Sequence, residues 1–413
     1  MKLCIHRGAR EIGGTCIEIE SQGKRILLDL GQPLVSDSSE YVLPAVDGLR
    51  EQDSSLLGIV VSHAHLDHYG LISHVEASVP LLLGNASKKI INAGHFFFPD
   101  KTPSVKGCID LRHQEPVHLG PFTLTPYLMD HSAYDSYAIL VEAEGKRVFY
   151  SGDFRGHGRK SRMFDALVNA PPANIDALLM EGSTLGRDAG ETYPSESQLE
   201  NRFVRLIKDT RGMALVWSAA QNIDRIVTIY RACRKSGRQF IIDMYTASIL
   251  QAIGNSNLPQ PGWPDLRVFL PRSQKQVIRT RELFAFAKSF AAHRVYPEQL
   301  KDLASSSVLL FRPSMVRDIE AAGCLDGSGL IYSLWPGYLE EERLGWFKKW
   351  LRQKGIRMEH CHTSGHASIT DLKRLAEALR PEMLVPVHTF NPEEYSEHFA
   401  HVIQHDDGAW WEV

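Results

Sequence analysis

The first third of the chain is a series of short apolar runs separated by glycines and polar turns. Leu3 to Ile5, Thr15 to Glu20 and Arg25 to Asp29 read as strands, punctuated by Gly8, Gly13-Gly14 and Gly23. Leu57 to Ser62 is a further strand, and Leu66 to Val75 can open a helix. Pro80 to Leu83 is short and extended. Phe122 to Met129, Tyr137 to Glu142, Arg147 to Ser151 and Ile175 to Met180 alternate or run apolar, as sheet strands do. With few helical patterns between them, this part reads as packed sheets with helices outside.

The pattern changes at about residue 187. Ser195-Glu196-Ser197-Gln198 has the form of a capping box, opening a helix to about Asp209. Strands at Met213 to Trp217, Gln239 to Asp243, Val268 to Leu270, Val308 to Phe311 and Leu330 to Ser333 follow. They alternate with helices at Asp224 to Lys235, Ala247 to Ile253 and Gln274 to Phe290. Strand-helix-strand alternation predicts a parallel sheet. A helix over Glu340 to Lys354 ends this region. Beyond it come a strand, the polar segment Cys361 to Ser368, a helix, the strand Met383 to Val387, a helix and a terminal Trp410-Trp411-Glu412-Val413. The expected division is 1–186, an insertion at 187–354, and a return to the first domain at 355–413. A chain of 413 residues is too long for one ordinary core, which fits this division.

Composition narrows the class. Hydrophobic content of 43% and charged content of 23% are those of a globular protein, and a net charge of −3 excludes a polycation. The six cysteines form no C-x-x-C pair, so they read as free thiols in a reducing compartment. Neither a signal-peptide pattern nor an apolar run of 18 residues is present, so the expected location is cytoplasmic, away from membranes.

The chemistry concentrates where the Leu57 to Ser62 strand stops. His63-Ala64-His65-Leu66-Asp67-His68 sets three imidazoles and a carboxylate within six residues, donors that suit zinc. At this composition such a run arises by chance roughly 0.002 times. A His-rich solvated loop or one structural zinc site are the plainer readings of it. Three later residues also stand where strands end: His131 after Met129, Asp153 after Tyr150, and His388 after Val387. Singly, each reads more readily as a hydrogen-bonded or turn residue. Together they supply two sites: His63, His65 and His131 for one ion, and Asp67, His68 and His388 for another. Asp153 bridges the two, as a dinuclear centre requires.

These residues carry a family resemblance. Asp29 in Leu28-Asp29-Leu30-Gly31, the His63 to His68 run, His131 and Asp153 match in order the motifs of the metallo-β-lactamase superfamily. Within it the chain resembles the β-CASP nucleases. Glu181 in Met180-Glu181-Gly182-Ser183-Thr184 matches the acidic motif before their inserted domain, and His366 the histidine after it. His388 in Pro386-Val387-His388 matches the last one. The resemblance implies an αββα sandwich with an inserted α/β β-CASP cap domain that binds nucleic acid, and two Zn2+ in the cleft between them. Mn2+ or Mg2+ would suit the same donors. The last histidine points to the RNA-processing, ribonuclease J-like branch, although His388-Thr389-Phe390 stands where ribonuclease J commonly reads His-Gly-Glu. Ribonuclease J also usually continues into a further C-terminal domain, whereas 25 residues follow His388 here.

The expected activity is zinc-dependent hydrolysis of single-stranded RNA by a metal-bridged hydroxide, as exonuclease, endonuclease or both, in RNA processing or decay. DNA, or another ester within the same fold, is the alternative substrate, and a non-catalytic RNA-binding subunit the third reading. Asp67 and Asp153 belong to the reacting centre. His366 is the expected proton donor or phosphate clamp, with Glu181 holding its ring, and Asp29 fixes the metal loop without ligating. For substrate, the cationic run after Asp153 supplies Arg155, Arg159 and Lys160 to guide phosphates, and Ser364 and Ser368 flank His366 as donors to a terminal phosphate. His95-Phe96-Phe97-Phe98 is a candidate for base stacking, and more readily core. Oligomeric state is left open.

Overall fold

The computed structural model describes residues 1–34, 42–186 and 192–413. The chain forms two compact units: Met1–Tyr193 with Gly365–Val413, and Pro194–Ser364.

In the first unit, two sheets share one core. One is ordered Trp410–Glu412, Lys2–Arg7, Cys16–Ser21, Lys24–Leu28, Leu56–Val60, Leu81–Gly84, Ile109–Leu111. The other is ordered Met383–Val387, Ala177–Glu181, Lys146–Tyr150, Ser136–Ala143, Phe122–Met129, Val117–Leu119. The two-residue period of a strand decides which side chains meet between them. Leu3, Ile5, Ile17, Ile19, Ile26 and Leu28 of the first sheet pack with Ile139, Val141, Val148 and Tyr150 of the second. The alternate residues of the second sheet, Ala138, Leu140, Phe149 and Leu178, point the other way. They bury Phe164 of helix Ser161–Asn169 and Leu372 and Leu375 of helix Ile369–Leu379. With both faces covered, these strands read as continuous apolar runs rather than as a clean alternation. The result is the expected αββα sandwich.

Strand direction brings the chemistry to one end. Ser136–Ala143 is antiparallel to both Phe122–Met129 and Lys146–Tyr150, so those two run the same way. Ala177–Glu181 is parallel to Lys146–Tyr150, and Met383–Val387 is parallel to Ala177–Glu181. Four strands therefore leave the sheet at the same edge, and His131, Asp153, Glu181 and His388 stand at or just past their ends.

Two helices of this unit were not evident from the pattern. Asn85–Phe97 buries Ile90, Ile91 and Phe97, and Ser161–Asn169 begins inside the cationic run. The helix expected over Leu66 to Val75 is one turn, Leu66–Tyr69, followed by the 3-10 turn Ile72–His74.

The second unit is a wholly parallel sheet ordered Arg294–Val295, Leu266–Phe269, Gln239–Asp243, Ser307–Leu310, Ala214–Trp217, Gly329–Tyr332, Arg357–His360. Ser195 caps helix Glu196–Asp209 in the reciprocal box with Gln198 that its sequence predicts. The helix expected over Gln274 to Phe290 is two, Arg272–Thr280 and Phe284–Ser289, parted where Glu282 takes φ +55°. Residue 187, the expected start of the insertion, lies outside the described residues. The expected end at 354 differs from the junction found at Ser364, because Arg357–His360 completes this sheet beside Gly329–Tyr332. The two ends of the unit are tied together, Thr363 Oγ1 donating to the Pro194 carbonyl at 2.6 Å. Among the described residues, no helix is long and apolar enough to cross a membrane, and the six cysteines are free.

Candidate metal centre

The run after Leu56–Val60 is pinned before it turns. Val61 N donates to Leu82 O at 2.8 Å, and Tyr137 N donates to Ser62 O at 3.0 Å, so the backbone reaches His63 as a fixed extension of both sheets. Gly31 lies against the loop so closely that a Cβ there would fall 1.6 Å from Asp67 O, which no side chain fits.

The imidazoles then converge. His63 Nε2 is 3.1 Å from His65 Nδ1, and His131 Nε2 is 3.2 Å from the same atom. Three nitrogens at 2.0–2.1 Å from one tetrahedral zinc would stand about 3.3 Å apart. The second set gathers around Asp153 Oδ2, with His68 Nε2 at 3.1 Å and His388 Nε2 at 3.7 Å. Asp67 Oδ2 is 3.8 Å from both of those nitrogens. Asp153 Oδ2 is also 3.7 Å from His63 Nε2, so one carboxylate oxygen faces both sets. Nε2 of His388 is buried without a hydrogen-bond partner among the described residues, a cost that a cation would remove. The donor set fits a divalent metal centre.

A network behind the rings fixes which nitrogen faces inward. Asp29 sits at the end of Lys24–Leu28, fully buried, with φ +61°. Its carboxylate accepts from Ser62 N at 2.7 Å, Ser62 Oγ at 2.8 Å and Tyr150 OH at 2.6 Å, and it meets His68 Nδ1 at 2.7 Å. With Nδ1–H given to Asp29, His68 presents the lone pair of Nε2 to the site. Ser62 Oγ lies 3.0 Å from His63 Nδ1 and does the same for that ring. Thr15 Oγ1, 2.9 Å from His388 Nδ1, orients the third. Asp29 thus ties the loop to the strands behind it through these contacts. Ser62, Tyr150 and Thr15 are supports that the sequence reading missed. Tyr150 had a signal, being a hydroxyl at the last buried position of the strand that delivers Asp153.

The rings divide by charge, and of the five a cation would have to displace a proton from His68 alone. Burial, with the neighbouring rings, holds His63 and His131 well below the usual imidazole value. Burial also brings His65 down to about 4 and lowers His388. All four present neutral rings. Burial opposes charge on His68, but Asp153, Asp29 and Asp67 outweigh it and raise that ring. Burial likewise opposes the Asp153 carboxylate, and His388, His68 and His366 override it.

Beside the two sets lies a second pair. Glu181 is buried, accepting from Phe154 N at 3.0 Å and Ser183 Oγ at 2.8 Å. Its Oε2 is 3.1 Å from His366 Nδ1, and Asp153 Oδ2 is 3.6 Å from the same nitrogen. Burial disfavours the imidazolium, yet Glu181 and Asp153 prevail and lift His366 to about 9. Gly365 lets this segment pass Ser132, whose Oγ would lie 2.7 Å from an added Cβ.

The expected substrate contacts fare differently. Arg155 is fully buried, its Nε 3.6 Å from Asp130 Oδ1, so it braces the loop and does not face solvent. Lys160 Nζ donates to the carbonyls of His131 at 3.0 Å and Ala133 at 3.3 Å, tying down the loop that carries His131. Arg159 is half-buried. Ser368 is buried as the N-cap of Ile369–Leu379, its hydroxyl shared with Asp371 at 3.0 Å and so engaged away from a phosphate. Ser364 is half-buried and closes the second unit. Of the aromatic run, Phe97 is buried and Phe98 38% exposed.

Asp29→Asn should weaken zinc binding about 10- to 100-fold, because an amide nitrogen would face the donors Asp29 now accepts. Competition with a chelator measures this, and unchanged affinity would remove Asp29 from its supporting role.

The comparisons agree with the geometry. Residues 24–215 match the model of the beta-lactamase superfamily domain, and residues 353–413 that of the Zn-dependent metallo-hydrolase RNA specificity domain. The chain is similar to ribonuclease J of Sinorhizobium meliloti, 22% identical over 84% of this chain and 60% of that protein. It is also similar to ribonuclease J of Helicobacter pylori, 23% identical over 97% of this chain and 56% of that one. The chain thus spans little more than half the length of these two relatives. Among solved structures, the crystal structure of a protein of unknown function from Enterococcus faecalis V583 shares the fold. Its TM-score is 0.82 at 22% identity, with 99% of each chain covered.

Proposed function

The chain belongs to the metallo-β-lactamase superfamily, in its β-CASP, ribonuclease J-like branch, and on that premise we propose that it hydrolyses phosphodiester bonds of single-stranded RNA with two zinc ions. The observation that carries this reading is the position of Asp153 Oδ2, common to both ligand sets and 3.6 Å from His366 Nδ1.

Bound there, zinc supplies Lewis-acid polarisation of a phosphoryl oxygen and acidification of water near neutral pH. The chain's own groups do the rest. His63, His65 and His131 would hold one ion, and Asp67, His68 and His388 the other, with the Asp153 carboxylate facing both sets. Hydrolysis joins a water oxygen to phosphorus and breaks the bond from phosphorus to the 3′ oxygen, and that oxygen must take up a proton. His366 is positioned to give it. Its Nδ1 faces Glu181, which leaves Nε2 as the atom that donates. Glu181 supports the charged ring, and its own hydrogen bonds to Phe154 N and Ser183 keep it in place.

The test is a zinc-loaded sample given one RNA labelled at either end and bearing 5′-hydroxyl, monophosphate or triphosphate. Single-stranded DNA and a chromogenic phosphodiester run beside it. The expected result is an RNA product ladder that reports direction and end dependence. Cleavage of DNA alone would replace the substrate. Absence of any cleavage, with less than one metal per chain, would overturn the reading in favour of an RNA-binding subunit.

A further inference from the structure

A row of exposed cations lies in the second unit. Between residues 271 and 297 the sequence carries Arg272, Lys275, Arg279, Arg281, Lys288 and Arg294 against the single acid Glu282, in a chain whose net charge is −3. The fold turns part of this run into a surface. Helix Arg272–Thr280 buries Gln274 and Ile278 and leaves Arg272, Lys275 and Arg279 exposed. Spacings of three and four place those cations on one helical face, along about 10 Å of axis.

That face is one wall of a groove of about 350 Å³, completed by Leu270, Pro297 and Asp318. Gln276 braces Arg279, accepting from its guanidinium at 2.8 Å. The acid in the groove, Asp318, is 9% exposed and occupied in part by Arg272 N, which donates to Oδ1 at 3.1 Å. Exposed Glu298 stands next to Pro297 in sequence. Three exposed cations therefore outweigh the carboxylates near them. Exposed rings accompany the charge: Tyr296 is 41% exposed with the Arg294 guanidinium 4.8 Å from its centroid, and Phe284 is 59% exposed. Cations in a row with rings beside them are what the backbone and bases of a single strand require.

We propose that the exposed face of helix Arg272–Thr280 is a phosphate track that binds the backbone of single-stranded RNA. The proposal rests on the ribonuclease reading for its ligand. The track adds affinity for the body of a long substrate, without sequence preference, and contributes nothing to bond cleavage.

The test compares wild type with Lys275→Gln/Arg279→Gln and with a control of equal charge change, Lys101→Gln/Lys106→Gln. All four side chains are exposed, so the fold tolerates the changes. The probe is a 30-nucleotide 2′-O-methyl RNA, which resists cleavage, titrated across salt concentrations. Losing two contacts to a single strand should lower the slope of log affinity against log salt by about 1.4, or about 25-fold in affinity at 0.1 M salt. The control pair should stay near wild type, and hydrolysis of bis(4-nitrophenyl) phosphate should be the same in all three. If the track variant binds with wild-type affinity and slope, or the control loses as much, the track is refuted while the ribonuclease reading stands. If binding depends on the track yet wild type cuts no RNA, the ribonuclease reading falls and the track survives.

Discussion

Asp153→Asn is expected to abolish RNA cleavage and to strip the protein of both metal ions together. Asp153 Oδ2 faces His63 Nε2 at 3.7 Å, His68 Nε2 at 3.1 Å and His388 Nε2 at 3.7 Å. An amide of the same shape carries no charge to offset two cations, and its nitrogen cannot ligate. Loss of about 4 kcal/mol of transition-state stabilisation corresponds to about 10³-fold in rate, and losing both Lewis acids should exceed that. Metal content should fall from about two per chain to below one. His68→Ala touches only the second set, so it should also end cleavage but leave about one ion, held by His63, His65 and His131. Elemental analysis alongside cleavage rates separates the two variants. An Asp153→Asn protein that keeps two ions, or that cuts RNA within tenfold of wild type, would show that the carboxylate does not bridge.

His366→Ala should act on the proton and spare the metals. The expected loss in kcat on RNA is about 10²- to 10⁴-fold, with metal content unchanged at about two per chain. The deciding measurement uses a different leaving group. A ribose 3′ oxygen must be protonated as it departs, whereas 4-nitrophenolate leaves as an anion. Hydrolysis of bis(4-nitrophenyl) phosphate by His366→Ala should therefore fall less than about tenfold. Equal losses on both substrates would make His366 a phosphate clamp, and loss of metal would make it a structural part of the ligand sets. Glu181→Gln should move in the same direction with a smaller effect, since it acts through the ring.

The candidate ligands were legible in the sequence for a physical reason. A strand buried on both faces reads as an unbroken apolar run, so the first polar residues after it mark where the chain leaves the sheet. His63, His131, Asp153 and His388 all stand there. The strand exits that carry His131, Asp153 and His388 leave one end of their sheet, and these residues gather there with the His63 to His68 run.

What escaped was burial and orientation. Arg155, Arg159 and Lys160 look alike as charges. Counting charge could not reveal that Arg155 lies under Asp130 or that Lys160 is tied to the His131 carbonyl. Ser368 was readable. Ser368-Ile369-Thr370-Asp371 has the form of a helix-capping pattern, and the hydroxyl is engaged in that cap. Lys275 and Arg279 were hidden inside an expected helix from Gln274 to Phe290, and Arg272 stood just before it. Only the break at Glu282 and the burial of Ile278 show which face they occupy.

The hydrogen bond between Thr363 and Pro194 bears on how the protein is made. His366 and His388 are the last ligating or proton-bearing groups to be synthesised, after the whole of 194–364. Left as random coil, a segment of that length would cost the first unit about 4.5 kcal/mol of closure entropy before Met383–Val387 could reach Ala177–Glu181. Folded first, with its ends clasped at 2.6 Å, it behaves as a hairpin and the cost nearly vanishes. In a nascent chain His366 and His388 would therefore join the other candidate metal-site residues only after the intervening unit had closed.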